Sequence, residues 1–304
     1  MLNPALPLPD DIKQLSRYVL EGSLAQKLFE SNARLSSHEQ EWRLQDVYGE
    51  ELWSKLLSLH LLPMDWSQCD VLDICAGTGF LSFHLLKRIR PRSLTVIDVS
   101  SGELAESKKL LERCYPNLPV TYMTADLIQS GLPSSSFDIV LGNSFLHHLC
   151  DMPHAVRELR RLVKPGGFFA ALHEPTPGAI AYESGRWDLI AKFWVMGSQY
   201  IEDLRKQPPI DLSGCVDIWL LESERLREIF ENEGFEHVVM KGFNIVRPFV
   251  IAAGQLHLHR DKPRLSRLET LAVRWAILTD HILQHVLPLR LFGSLALCAR
   301  NPEP

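Results

Sequence analysis

Between Asp70 and Leu172 the sequence alternates short apolar runs with helical patterns, and this alternation limits the possible folds more than any other feature of the chain. Asp70 to Ile74, Leu94 to Ile97, Val120 to Met123, Phe137 to Leu141 and Phe168 to Leu172 each read as a short buried strand. Helical patterns lie between them. Phe80 to Ile89 carries Lys87 and Arg88 near its end and is stopped by Pro91. In SSGELAESKKLLERC, Ser100 and Glu103 have capping-box spacing. Pro153 to Leu162 leads into a turn at Lys164-Pro165-Gly166-Gly167. Strands separated by helices imply an α/β domain with a mainly parallel sheet, right-handed crossovers and helices on both faces. Ligands of such sheets bind beyond the carboxyl ends of the strands, so the residues just after each strand carry the functional information.

The flanks are different. Asp11 to His60 reads as helical, with Leu15, Tyr18, Val19, Val47, Leu52, Leu56 and Leu57 at helical spacing, and Pro63 closes it. Ile180 to Leu204 is apolar and helical, with Tyr182, Trp187, Phe193, Trp194 and Tyr200 on more than one face. Glu222 to Glu233 reads as a helix and His237 to Phe243 as a sixth strand. Leu265 to Val286 is an amphipathic helix with Leu268, Leu271, Trp275, Leu278 and Ile282 in register. Leu291 to Ala299 is the last strand. The expected organisation is a helical cap at residues 1–62, a cofactor-binding core at 63–177 and a helical lid insert at 178–215. The rest of the sheet follows at 216–304, with a helical insertion at about 246–289.

The chain has 304 residues and a formal net charge of -5, which offers no general attraction to nucleic acid or an anionic membrane. Arg260, Lys262, Arg264 and Arg267 form the one basic cluster and read as a solvated loop around Pro263. The six cysteines are scattered without a CxxC pair, as free thiols of a reducing compartment would be. The first residues lack a basic segment followed by an apolar one, and no apolar run approaches the roughly 20 residues that span a bilayer. The expectation is a cytoplasmic protein.

The first strand runs into VLDICAGTGFL, which sets Asp73 just before a loop of small residues. A dinucleotide fingerprint GxGxxG would rest a pyrophosphate on this loop. Here Ser82 stands where the third glycine belongs, and Asp73 would repel phosphate while attracting an ammonium. The loop therefore suits a cationic ligand that comes close to the backbone, and S-adenosylmethionine has both an α-ammonium and a sulfonium. Asp98, about 20 residues on, is placed to bond the two hydroxyls of a ribose, and Asp126 can face the exocyclic amine of an adenine. Three carboxylates after three successive strands would each act on one nucleoside.

VLDICAGTGF, VIDVS, TADL, FDIVLGNSFLHHL and LRRLVKPGGFF together resemble the class I S-adenosylmethionine-dependent methyltransferases. The likeness is strongest to the small-molecule branch that includes the quinone-biosynthesis enzymes. It covers Asp70 to Glu174 closely and the last two strands loosely. It implies a Rossmann-like seven-stranded, mostly parallel sheet with helices on both faces and helical lid insertions. It also implies that Asp73, Gly77 and Gly79 line the methionine end of the cofactor and that Asp98 and Val99 hold the ribose and adenine. By the same likeness Asp126 and Leu127 contact the adenine, Asn143 lies beside the methionine moiety, and Tyr48 closes over the cofactor as N-terminal aromatics do in relatives. Cys75 stands where that family usually has its first glycine; being small, it is expected to be compatible with binding.

Methyl transfer needs a base only when the acceptor atom carries a proton. The candidates are His147, in SFLHHL, and His173, beside Glu174 in ALHEPTP; either can instead serve only to shape the pocket. His147, Cys150, Asp151 and His154 recur at helix-like intervals, but Pro153 interrupts them and no dense ligand signature is present, so no metal is expected. If the aromatic insert lines the pocket, the acceptor is a fairly large apolar or aromatic small molecule; otherwise its Trp and Phe residues serve core packing or a homodimer interface. The sequence favours O-methylation of such a metabolite. N- or C-methylation, or a cyclase-like reaction that keeps the cofactor without transferring its methyl, are the alternatives. The NSFL segment after the fourth strand, in place of an NPPY-type motif, and the net charge argue against an RNA substrate. Ser82 and Asp73 argue against a nicotinamide-dependent dehydrogenase.

Overall fold

The central strand patterns become strands because their β-branched and leucine side chains fill both faces of a sheet covered by helices, while the edge strand Val120–Thr124 is only partly buried. The computed structural model describes residues 46–63, 65–149, 152–176, 178, 221–246 and 266–303. The helical pattern before residue 46, the aromatic insert and Arg260, Lys262 and Arg264 lie outside the described residues. Helix α1 (Asp46–Leu59) precedes β1 (Asp70–Ile74), α2 (Phe80–Leu85), β2 (Ser93–Asp98), α3 (Ser101–Cys114) and β3 (Val120–Thr124). Then come β4 (Phe137–Asn143), α4 (Met152–Leu162), β5 (Val163–Pro175), α5 (Ser223–Asn232), β6 (Glu236–Phe243), α6 (Arg267–Leu283) and β7 (Ser294–Arg300).

The sheet has the order β3-β2-β1-β4-β5-β7-β6, and β7 runs antiparallel to both of its neighbours. The order reverses between β1 and β4, which pair in parallel, so their carboxyl ends border the crevice in which an open α/β sheet binds its ligand. Two cores flank the sheet. One packs Val156, Leu159, Phe230 and Phe235, from α4, α5 and the chain just after α5, against Val140, Phe169 and Leu297. The other packs Leu52, Leu56 and Leu59 of α1, with Leu81, Leu85, Leu104 and Leu111 of α2 and α3, against Val71, Val96 and Ala170. The expected Rossmann-like, mostly parallel seven-stranded sheet is therefore present, with helices on both faces.

Some boundaries shift for local reasons. Helix α2 ends at Leu85, and the chain then turns through Arg88 N–H to Leu85 C=O and Ile89 N–H to Leu85 C=O before Pro91. The Lys164–Gly167 turn falls within β5, where pairing with β4 jumps from Phe137–Val163 to Ile139–Phe168. Gly166 takes a left-handed φ of 76° there. Helix α6 opens on a complete capping box between Ser266 and Glu269. Its inward face is small, with Val273 and Ala276 buried beside α1. Leu268 (80% exposed), Leu271, Trp275, Leu278 and Ile282 point outward. No helix among the described residues is long and apolar enough to cross a membrane.

Candidate functional site

Asp73 lies at the end of β1, opposite Val96 and Leu141 of the neighbouring strands, and is 1% exposed. Ser82 Oγ donates to its Oδ2 at 2.5 Å, while its Oδ1 is buried without a hydrogen-bond partner among the described residues. Burial, ahead of any other cause, pushes its pKa up to about 7; the Ser82 bond opposes this and the Asp98 carboxylate adds to it. Ser82 thus does more than fill the place of a third glycine, because its hydroxyl orients the acid. A carboxylate oxygen left without a donor in a buried site is an unmet acceptor, and a ligand ammonium would meet it.

The loop that follows is built on left-handed residues: Cys75 (φ 48°), Gly77 (φ 53°) and Gly79 (φ 80°). At Gly79 a Cβ would also come within 2.4 Å of Ser107 Oγ, so both conformation and space require glycine. Cys75 accepts the strained conformation with a side chain. Burial and the surrounding carboxylates of Asp98, Asp126, Asp73 and Glu174 hold its thiol well above the usual range. That thiol is not an activated nucleophile.

Asp98 ends β2 and ties the loop to the sheet. Its Oδ2 accepts from Gly77 N–H and its Oδ1 from Ser100 N–H, both at 2.8 Å. Burial raises its pKa against these bonds. Val99 N–H is a third backbone donor to this carboxylate, which leaves about one lone pair for a further donor. Val99 follows at the same strand end. Asp126 caps the short 3₁₀ turn Leu127–Gln129 through Ile128 N–H at 2.9 Å, and Leu127 is buried against the sheet. Asn143 ends β4, and its Oδ1 is a second buried acceptor without a partner among the described residues. Tyr48 of α1 is buried with Val47 and Val273, against Phe80 at the start of α2. The nine residues expected from Asp73 to Asn143 and Tyr48 therefore fall on consecutive strand ends, on the loop after β1, and on the helix beside that loop. Two unmet acceptors, a small-residue loop with no room for a side chain at Gly79, and a second carboxylate fit S-adenosylmethionine, and the buried acid disfavours a phosphate.

The acceptor candidates form two separate histidine stations. His147 sits in a 3₁₀ turn after β4, 5% exposed, with its Nδ1 2.8 Å from Glu174 Oε2. Glu174, fully buried in β5, also accepts from the backbone N–H groups of Phe145, Leu146 and His147. A carboxylate only accepts, so the imidazole donates to it from Nδ1, and in the neutral ring the lone pair is then on Nε2. His147 and His148 rings lie with centroids 3.9 Å apart. His173, one residue before Glu174, instead places its Nδ1 3.0 Å from Lys55 Nζ of α1. Lys55 is in turn paired with Glu51 at 2.8 Å.

Lys55 and Glu51 were not legible as site residues, since a Glu–Lys pair at i,i+4 is ordinarily a solvated one. Their place among Leu52, Leu56 and Leu59 on the buried face of α1 is the signal that could have marked them. Cys150 and Asp151 lie outside the described residues.

An α/β sheet with an acid at or just after the end of each of its first three strands, and a buried carboxylate oxygen lacking a donor beside the loop after β1, suits a nucleoside with a cationic group. Residues 71–167 match the family described as a methyltransferase domain. The chain is 33% identical over 129 residues to the uncharacterized methyltransferase Mb0092 of Mycobacterium bovis, covering 42% of this chain and 59% of that protein. It is 28% identical over 133 residues to a demethylmenaquinone methyltransferase of Chlamydia muridarum, covering 41% and 56%. The chain thus spans somewhat more than half the length of these relatives. Among solved structures, the [4+2]-cyclase SpnF shares the fold with a TM-score of 0.51 and 18% identity, over 83% of this chain and 81% of that one. The core of the chain is a class I S-adenosylmethionine-dependent methyltransferase domain, with S-adenosylmethionine as its cofactor.

Proposed function

We propose that the protein methylates an oxygen atom of a small, apolar or aromatic metabolite, with His147 as the general base. The observation that carries this reading is the Glu174–His147 pair, which fixes the imidazole proton on Nδ1 and leaves Nε2 as the basic atom. S-adenosylmethionine supplies an electrophilic methyl group on a sulfonium. The chain's own groups position and exclude water: Asp73 takes the ammonium, Asp98 and Val99 the ribose and adenine edge, Asp126 and Leu127 the adenine, and Asn143 the methionine end. Gly77, Gly79 and Cys75 let the backbone approach, and Tyr48 covers the loop from α1. His147 receives the proton of the acceptor hydroxyl, and the buried Glu174 carboxylate stabilises the resulting imidazolium.

The test is incubation of the purified chain with S-adenosylmethionine and a panel of phenols, hydroxyquinones, enols, amines and thioethers. S-adenosylhomocysteine and methylated product are quantified together. Equal amounts of both, with hydroxylated acceptors preferred, are expected. Product without S-adenosylhomocysteine, or a preference for thioethers and tertiary amines, overturns the reading.

A further inference from the structure

We infer that Lys55 fixes His173 as an Nε2–H hydrogen-bond donor, so that His173 holds an oxygen of the acceptor instead of taking its proton. This rests on the methyl-acceptor reading above and narrows the substrate class to hydroxylated molecules that also present a carbonyl or phenolic oxygen.

Lys55 is 1% exposed, one of the largest fully buried side chains of the described residues. A buried ammonium is costly unless its donors are engaged. Glu51, one turn earlier on α1, neutralises it at 2.8 Å, and the ring of Phe243 lies 5.4 Å from the nitrogen. A further donation goes to His173 Nδ1 at 3.0 Å. An ammonium has donors and no acceptor, so Nδ1 must present its lone pair and the neutral ring must carry its proton on Nε2. The Asn244 amide nitrogen also faces Nδ1, at 3.4 Å, while bonding Ser294 Oγ at 3.0 Å. Asn244 is itself held, because Asp280 accepts from the backbone N–H groups of Asn244, Ile245 and Val246.

The backbone is shaped for this arrangement. Pairing of β5 with β7 passes from Ala171–Leu297 to Glu174–Leu295, which leaves one extra residue in β5. His173 occupies that bulge with a left-handed φ of 61°. A non-glycine residue stays in that region only where its surroundings over-determine it, and a bulge re-aims the side chain it carries. Consecutive residues of one strand end thus serve opposite roles. Glu174 accepts the Nδ1 proton of His147, while His173 receives a donor on its own Nδ1. Unlike His147, His173 is only partly buried, at the carboxyl edge of the sheet one residue beyond the Asn143–Leu172 pair.

The test is imidazole 15N NMR on the full chain at pH 7, with assignments from His147→Gln and His173→Gln. Expected are a protonated Nε2 with an unprotonated Nδ1 for His173, and the reverse for His147. An imidazolium or an Nδ1 proton on His173 overturns the inference. An unprotonated Nδ1 on His147 instead overturns the base assignment and leaves this inference standing. The double variant Glu51→Gln/Lys55→Met removes both charges together and so leaves none buried alone; folding is checked by its amide spectrum. In the folded double variant the His173 proton redistributes between its two nitrogens; an unchanged Nε2 proton removes Lys55 from its positioning role. With the best acceptor of the panel, His173→Gln, whose amide can still donate, raises KM up to about tenfold with kcat within twofold. A kcat loss matching that of His147→Gln contradicts a donor role.

Discussion

The two halves of the site are built on different scales of the chain. Around the loop of the proposed cofactor half the ties are the shorter ones: Asp73 is oriented by Ser82, nine residues away, and Gly77 is tied to Asp98 across 21 residues. In the proposed acceptor half the ties are longer, with His147 meeting Glu174 across 27 residues and Lys55 meeting His173 across 118. Short-range construction makes a motif that one cofactor can share among many proteins. Long-range construction lets each chain compose its own acceptor chemistry on the same sheet. If this division is real, changes in one half should leave the readout of the other half nearly unmoved.

The largest expected effect is in the acceptor half. His147→Gln lowers kcat for a hydroxylated acceptor by roughly 10²–10⁴, the usual worth of a general base, while cofactor affinity changes less than about twofold. Steady-state kinetics alongside calorimetric titration with S-adenosylhomocysteine separates the two, and a parallel loss of cofactor binding would dissolve the division. Next comes Ser82→Ala, which removes the only hydroxyl donor to Asp73 among the described residues. It weakens S-adenosylmethionine binding by about fivefold, on the order of 1 kcal/mol, with kcat at saturation preserved. An unchanged dissociation constant would show that Asp73 needs no orientation.

The smallest effect is on stability. At Cys75 a left-handed φ of 48° strains a side chain that is partly buried. Cys75→Gly relieves strain but gives up packing, so thermal unfolding should shift by less than about 1 kcal/mol. Cys75→Val puts a β-branched residue at positive φ and should cost roughly 2 kcal/mol. Equal stability of the two would place the loop in another conformation.

What could be read from the sequence follows the same division. The positions of Asp73, Asp98 and Asp126 were legible because each lies at or just after the end of a strand, and the fold places strand ends side by side. Strand positions were legible for the same reason, as in β1, where the run from Asp70 to Ile74 is found unaltered. The use of Ser82 was visible only as a missing glycine, since its role depends on the angle at which α2 leaves the loop. The pairings of His147 with Glu174 and of His173 with Lys55 were not legible at all. They depend on a bulge in β5 and on a lysine of α1, and neither leaves a periodic mark in the sequence. Helix α6 shows a further limit: periodicity identified its apolar stripe, but the small residues Val273 and Ala276 decide which face packs.

The most direct test of the account is the pH dependence of S-adenosylmethionine affinity, measured by calorimetry on the wild type and Asp73→Asn. With the carboxyl raised to about 7 by burial, protonation competes with the ligand ammonium below that pH. Affinity should therefore rise about fivefold from pH 6 to 7.5, with proton release on binding, and fall again once the ligand's own amine deprotonates near 8. Asp73→Asn should bind at least about tenfold more weakly at pH 7.5 and show no rise across that window. A wild-type affinity flat from pH 6 to 7.5, or an Asp73→Asn variant that binds as tightly as the wild type, would contradict a buried acid awaiting an ammonium.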